Sequence, residues 1–183
     1  MEGRLRKILV MSLVLGAFLN ARAQHDHGDN AKPEENKAFT MVKGLVGNWK
    51  GTFRWTGARK GEGEMDAHYY LTGNGSAVVE DLIAGGQPVM TSVYHLDGSD
   101  LRATHFCAAN NQPRLKADAF NENEQSVNFQ FVDITNLPTP GSPHVQGLEL
   151  DFKSPDQVDV IFTFTSSGAL SYEHITLNRT RID

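Results

Sequence analysis

Phe39-Thr40-Met41-Val42-Lys43-Gly44-Leu45-Val46-Gly47-Asn48-Trp49 is a short helix-like segment that runs into a glycine, one further residue and a tryptophan. A long train of strand-like runs begins at that tryptophan and ends with Leu177-Asn178-Arg179-Thr180-Arg181. In an antiparallel barrel the first and last strands are neighbours. A tryptophan on the barrel floor can then be covered by an arginine from the last strand, through cation–π stacking and hydrogen bonds to backbone. Trp49 and Arg179 are the structural pair this reading selects.

The runs after Trp49 are short and separated by turn signals, at the spacing of an all-β barrel or sandwich. They are Asn48–Thr56, Gly63–Leu71, Ser76–Ala84, Val89–Leu96, Leu101–Ala108, Leu115–Phe120, Ser126–Ile134, Leu148–Phe152, Val158–Thr165 and Leu170–Asn178. The breaks are rich in Gly, Asn, Asp, Ser and Pro, which favour turns for distinct backbone reasons. Asn136 to Gly147 is the one long loop, with three prolines, and is a candidate cover for a barrel mouth. The expected fold is all-β: a single antiparallel up-and-down barrel of roughly 8–10 strands with a short N-terminal helix, Phe39–Val46.

The chain ahead of the barrel reads differently. Arg4, Arg6 and Lys7 precede the apolar run Ile8 to Leu19, and Ala21-Arg22-Ala23 forms a small-residue cleavage pattern before Gln24. This is the layout of a signal peptide, residues 1–23. Residues 24–37 are polar and almost free of apolar side chains, and read as a disordered leader to a barrel domain over 38–183. The expected localisation is periplasmic or secreted, with no membrane span in the mature chain. Processing would remove four of the 17 basic and one of the 22 acidic residues, leaving 13 against 21, a net charge of −8. Such a balance disfavours nucleic acid and anionic membrane surfaces as partners. Cys107 is the sole cysteine, so no intramolecular disulfide forms and stability rests on the core.

Pairing the hairpin around Asp97-Gly98-Ser99-Asp100 sorts its faces, because side chains alternate along a strand. Met90, Ser92, Tyr94, Leu96, Leu101, Ala103, His105 and Cys107 share a charge-free face, taken as the interior. In the preceding hairpin Met65, Ala67, Tyr69, Leu71, Val78, Glu80 and Leu82 fall together, which puts Glu80 on an apolar surface where a lone carboxylate is costly. The last hairpin admits two readings. A three-residue turn at Ser167-Gly168-Ala169 turns Tyr172 and His174 toward Phe162; a two-residue turn places Glu173 and Arg179 there instead.

Candidate ligand-binding residues follow from these faces: Tyr69, Met90, Tyr94, His105 and Cys107, with Arg114 at the rim as a partner for a ligand carboxylate. His105 and Cys107, two apart on one strand, also fit a metal, a thiolate–imidazolium pair, haem iron, nucleophilic catalysis, or simply a packed interior. No catalytic set is assigned. No phosphate-binding loop, dinucleotide fingerprint, nucleophile elbow or zinc-protease motif occurs, and neither a cofactor nor a metal is expected.

The glycine–x–tryptophan with a C-terminal arginine resembles the signature of the calycin superfamily. The stretch from Val93-Tyr94-His95-Leu96-Asp97-Gly98 to His105-Phe106-Cys107-Ala108-Ala109-Asn110-Asn111-Gln112-Pro113-Arg114 resembles exported bacterial lipocalin-like proteins of unassigned function. Together the likeness spans residues 39 to 181. It implies a barrel that binds a small, partly apolar ligand. Its alternatives are a calycin-fold isomerase or hydrolase using the interior His105 with Tyr94 or Glu80, and a haem-binding barrel. Nitrobindins share a similar opening and hold haem through a histidine near the end of the barrel, where His174 is the match by position.

Overall fold

The computed structural model describes residues 36–180; the expected signal peptide and nearly all of the leader lie outside the described residues. Within them the chain forms a helix, α1 (Lys37–Lys43), and the strands β1 (Gly47–Gly57), β2 (Gly61–Glu64), β3 (Asp66–Thr72), β4 (Ala77–Ala84), β5 (Gln87–Asp97), β6 (Asp100–Phe106), β7 (Gln112–Ala117), β8 (Ser126–Thr135), β9 (His144–Ser154), β10 (Gln157–Ser166) and β11 (Ala169–Arg179). From β3 onward each strand pairs antiparallel with the next, and β1 pairs with β3 on one side and β11 on the other, so the sheet closes on itself. β2 and β3 both pair with β1 and are two halves of one strand broken at Met65, which makes a ten-strand barrel. No described helix is long and apolar enough to cross a membrane.

Closure depends on a close approach of the first and last strands. At Gly51 a Cβ would lie 1.9 Å from the carbonyl oxygen of Thr176, so only glycine fits. The β1–β11 register aligns Trp49 with Arg179. The Arg179 guanidinium lies 4.2 Å from the centre of the Trp49 ring. Its Nη1 donates to Val46 O at 2.8 Å and its Nη2 to Gly44 O at 2.7 Å. The Trp49 indole N–H donates to Leu45 O at 2.7 Å. Gly47 has φ of +135°, and a Cβ there would come within 3.0 Å of the Arg179 guanidinium. The glycine–x–tryptophan pattern therefore has a physical cause: a backbone that side chains disfavour, beneath a cation that needs the space.

α1 plugs this end, called the base. Asn36 caps it by accepting from Phe39 N–H at 2.8 Å, and Ala38, Phe39 and Val42 are buried. The helix starts two residues earlier than expected and stops at Lys43, because Gly44 to Val46 turn downward to offer their carbonyls to Arg179 and Trp49. At the other end, the mouth, the long loop is shorter than expected, spanning 136–143. Gly147 lies inside β9, at a shift of register opposite Thr163 and Phe164. β7 begins at Gln112, earlier than expected, because Pro113 fits the strand opposite Ile134.

The alternation predicted for β5 and β6 holds. Met90, Ser92, Tyr94, Leu101, Ala103, His105 and Cys107 are all buried. Leu96 is the exception, exposed beside the Gly98-Ser99 turn where the strands end. The last hairpin uses a two-residue turn. Ser167 and Gly168 have φ of +49° and +83°, Ser166 pairs with Ala169, and Glu173 rather than His174 faces inward.

Candidate functional site

A row of polar side chains crosses the waist of the barrel. Strand register sets Tyr69 opposite Glu80, Glu80 opposite Ser92, and Ser92 opposite His105, so four consecutive strands each contribute one inward polar group. Tyr69 Oη donates to Glu80 Oε1 in a short hydrogen bond, and Tyr94 Oη donates to Glu80 Oε2 at 3.0 Å. Ser92 Oγ and His105 Nδ1 are hydrogen-bonded at 2.9 Å. The His105 ring lies 4.7 Å from that of Phe162, and its Nε2 has no partner.

Burial controls the protonation of this row. It raises the Glu80 carboxyl, although hydrogen bonds from Tyr69, Ser92 and Tyr94 pull the other way. It also raises both phenols, to which the Glu80 charge adds. It lowers His105 to about 3, so the imidazole is neutral. Tyr69, Glu80, Ser92, Tyr94, His105 and Phe162 have no exposed surface at all. The waist is filled with side chain, and no solute touches Tyr69, Tyr94 or His105 without displacing it.

The mouth is different. Trp55 and Phe164 pack against each other, with ring centres 4.9 Å apart and planes tilted by 60°. The Arg59 guanidinium lies 4.0 Å from the Trp55 ring centre, and Arg59 N–H donates to Ser171 Oγ at 3.0 Å. These residues, with Ala58, Pro143, Thr165, Ser166 and Ala169, line a cavity of about 420 Å³. Directly across from Trp55 in the β1–β11 register is Glu173, only 3% exposed, whose Oε2 has no partner. Burial pushes this carboxyl up to about 7, against the Arg59 charge and the Trp55 indole, which favour ionisation. The Cys107 thiol is raised chiefly by burial and also by the Glu173 charge.

The long loop is laced into this end. Asn111 Nδ2 donates to Pro143 O at 2.9 Å, Asn136 Nδ2 donates to Asn110 O, and Ser167 N–H donates to Gly141 O at 3.0 Å. Asn111, fully buried, ties the β6–β7 turn to the loop.

Five of the expected ligand residues thus lie on the inner face: Tyr69, Tyr94 and His105 at the waist, Met90 and Cys107 at 7% exposure. Arg114 does not join them. It stands on the outer face and pairs with Asp133, Nη2 to Oδ2 at 2.7 Å, because its cross-strand partner there is an acid. Trp55, Arg59 and Phe164 were not among the expected residues. Trp55 shares strand parity with Trp49, which was the available signal.

A haem held from inside the barrel needs an inward imidazole near the mouth. His174 faces outward, its Nε2 3.3 Å from Thr56 Oγ1, and the residues do not fit that group. Among the described residues, no group of three or more His, Cys, Asp and Glu side chains could hold a metal ion.

Neither a protein-family model nor a curated protein matches the chain. Solved structures do. The crystal structure of Rv2717c from M. tuberculosis is 14% identical, with a TM-score of 0.55, covering 79% of this chain and 98% of that one. A protein of unknown function of the DUF3598 family from Nostoc punctiforme is 12% identical, with a TM-score of 0.52, covering 76% of this chain. The match spans about half (49%) of that second protein. At these identities the likeness is one of fold.

Proposed function

We propose that this protein is an exported, calycin-like barrel that binds a small, partly apolar molecule at the mouth. One observation carries the reading: the paired rings of Trp55 and Phe164 line a cavity of about 420 Å³, and across the strand pair from Trp55, behind that lining, Glu173 keeps a buried carboxyl oxygen without a partner. Binding pockets combine mostly apolar walls with a few placed polar groups. The ligand rests against Trp55 and Phe164, with Cys107 and Met90 beside the deeper part of the mouth and the Tyr69–Glu80–Tyr94 and Ser92–His105 contacts as a rigid bed below. Catalysis by His105 is disfavoured, since the imidazole has no exposed surface.

Native mass spectrometry of protein purified from its own cell envelope or medium tests this. The expected result is an adduct of small-molecule mass that is lost in Trp55→Ala while the variant stays folded. An adduct retained by Trp55→Ala places the ligand elsewhere, and a protein retained in the cytoplasm with its first 23 residues intact overturns export.

A further inference from the structure

We propose that the ligand of the mouth carries a protonated amine, which reaches past Arg59 to ion-pair with Glu173, just beneath the cavity lining across from Trp55, while an apolar body rests against the outer side of the Trp55–Phe164 pair; this rests on the mouth being the binding site. Glu173 is 3% exposed and its Oε2 is unpartnered, while its carboxyl feels the Arg59 charge and the Trp55 indole. A buried carboxylate gains most from a ligand that brings both a charge and hydrogen-bond donors. The aromatic face above it already holds a cation: the protein's own Arg59, seated on Trp55. Arg59 is exposed, and its side chain can leave Trp55 free for an incoming ammonium.

The groups that face Glu173 are few. Trp55 comes from β1, Arg59 from the turn after it, Phe162 and Phe164 from β10, Ser171 from β11 and Cys107 from the end of β6. Of these only Arg59 and Cys107 carry or acquire charge. His105, two residues below Cys107, is neutral. With the free carboxyl near 7, it must give up its proton to pair with an ammonium. Affinity for the amine therefore rises about tenfold per pH step below that value and levels off above it.

The test uses three probes of matched chain length on the folded protein: 3-phenylpropylamine, 3-phenylpropanol and 3-phenylpropionate, followed by the NMR signal of the Trp55 indole N–H. The amine should bind about tenfold or more tighter than the alcohol, as expected of a charge-assisted contact over a neutral one. Glu173→Gln should erase that preference and its pH dependence. Arg59→Ala, which removes the competing cation, should strengthen amine binding. An alcohol that binds as well as the amine, or a propionate that binds better, overturns the amine assignment and leaves the mouth as the site. If no probe moves the Trp55 signal, the mouth reading fails and the amine with it.

Discussion

Replacing Glu173 by Gln isolates one buried carboxyl, and the size of its effect can be worked out in advance. Burial lifts Glu173 from its ordinary 4.5 to about 7. Between those values the folded protein holds a proton that the unfolded chain has released, so stability falls as pH rises. Above both, the wild-type fold bears roughly 3 kcal/mol for the buried charge, at about 1.4 kcal/mol for each tenfold change. Glutamine keeps an acceptor for Trp55 and never ionises. Urea unfolding of both proteins from acid to alkaline pH should show the variant gaining on wild type by roughly 3 kcal/mol across the window from about 4.5 to 7, then holding that gain. The other titrating groups cancel in the difference. They do not cancel in the wild type alone. His105, held near 3, contributes stability that is present above about 6.5 and lost as pH falls. Its slope opposes that of Glu173, and the Gln variant should uncover it. A difference curve that stays flat across the window would refute the argument, because Glu173 would then have an ordinary carboxyl pKa.

Three further outcomes follow from the geometry. Trp49→Ala should destabilise by about 3–5 kcal/mol in denaturant melts, the usual cost of truncating a large buried aromatic, and a change near zero would mean the floor does not depend on it. Gly51→Ala should cost about 3 kcal/mol or more, since its Cβ would overlap the Thr176 carbonyl and part β1 from β11; a near-neutral thermal shift would show that the two strands yield. Cys107, 7% exposed and with its thiol raised by burial, should react with a bulky thiol reagent far more slowly in the folded protein than in urea; equal rates would place it outside.

The floor was legible because it obeys local rules that survive any packing. Gly47 needs its backbone freedom, Trp49 needs a partner for its indole, and Arg179 arrives at the end of the last strand. The faces of β5 and β6 were legible because their turn is short and their inner positions carry no charge. Other features lay beyond such rules. Whether a barrel is hollow depends on how Tyr69 and Tyr94 converge on Glu80 and how Phe162 meets His105 across the interior, which no single strand records. The last hairpin hung on whether Ala169 belongs to the turn, and that one residue reverses Glu173 and His174. Arg114 read as a rim residue from its neighbours in sequence. Its neighbour in space, Asp133, comes from the next strand across a shift of register. The proposed site therefore adds Trp55, Phe164 and Glu173, which no single strand pattern singles out, to Met90 and Cys107 from the expected set.

The pairing of β1 with β11 has a consequence for how the chain reaches this structure. Trp49 and Arg179 are 130 positions apart, and the loop that their contact closes spans almost the whole domain. Contacts of such sequence separation form slowly. Until the last strand docks, β1 and β10 are bare edges, open to pairing with other chains. The clamp of Arg179 on Trp49 thus acts as a latch set when β11 docks. A circular permutant that joins the two ends near the base and opens the chain at Gly85-Gly86 would turn this longest closure into a local hairpin. It should fold faster and aggregate less during refolding, with the cut confined to the β4–β5 turn and the Trp55–Phe164 pair left in place.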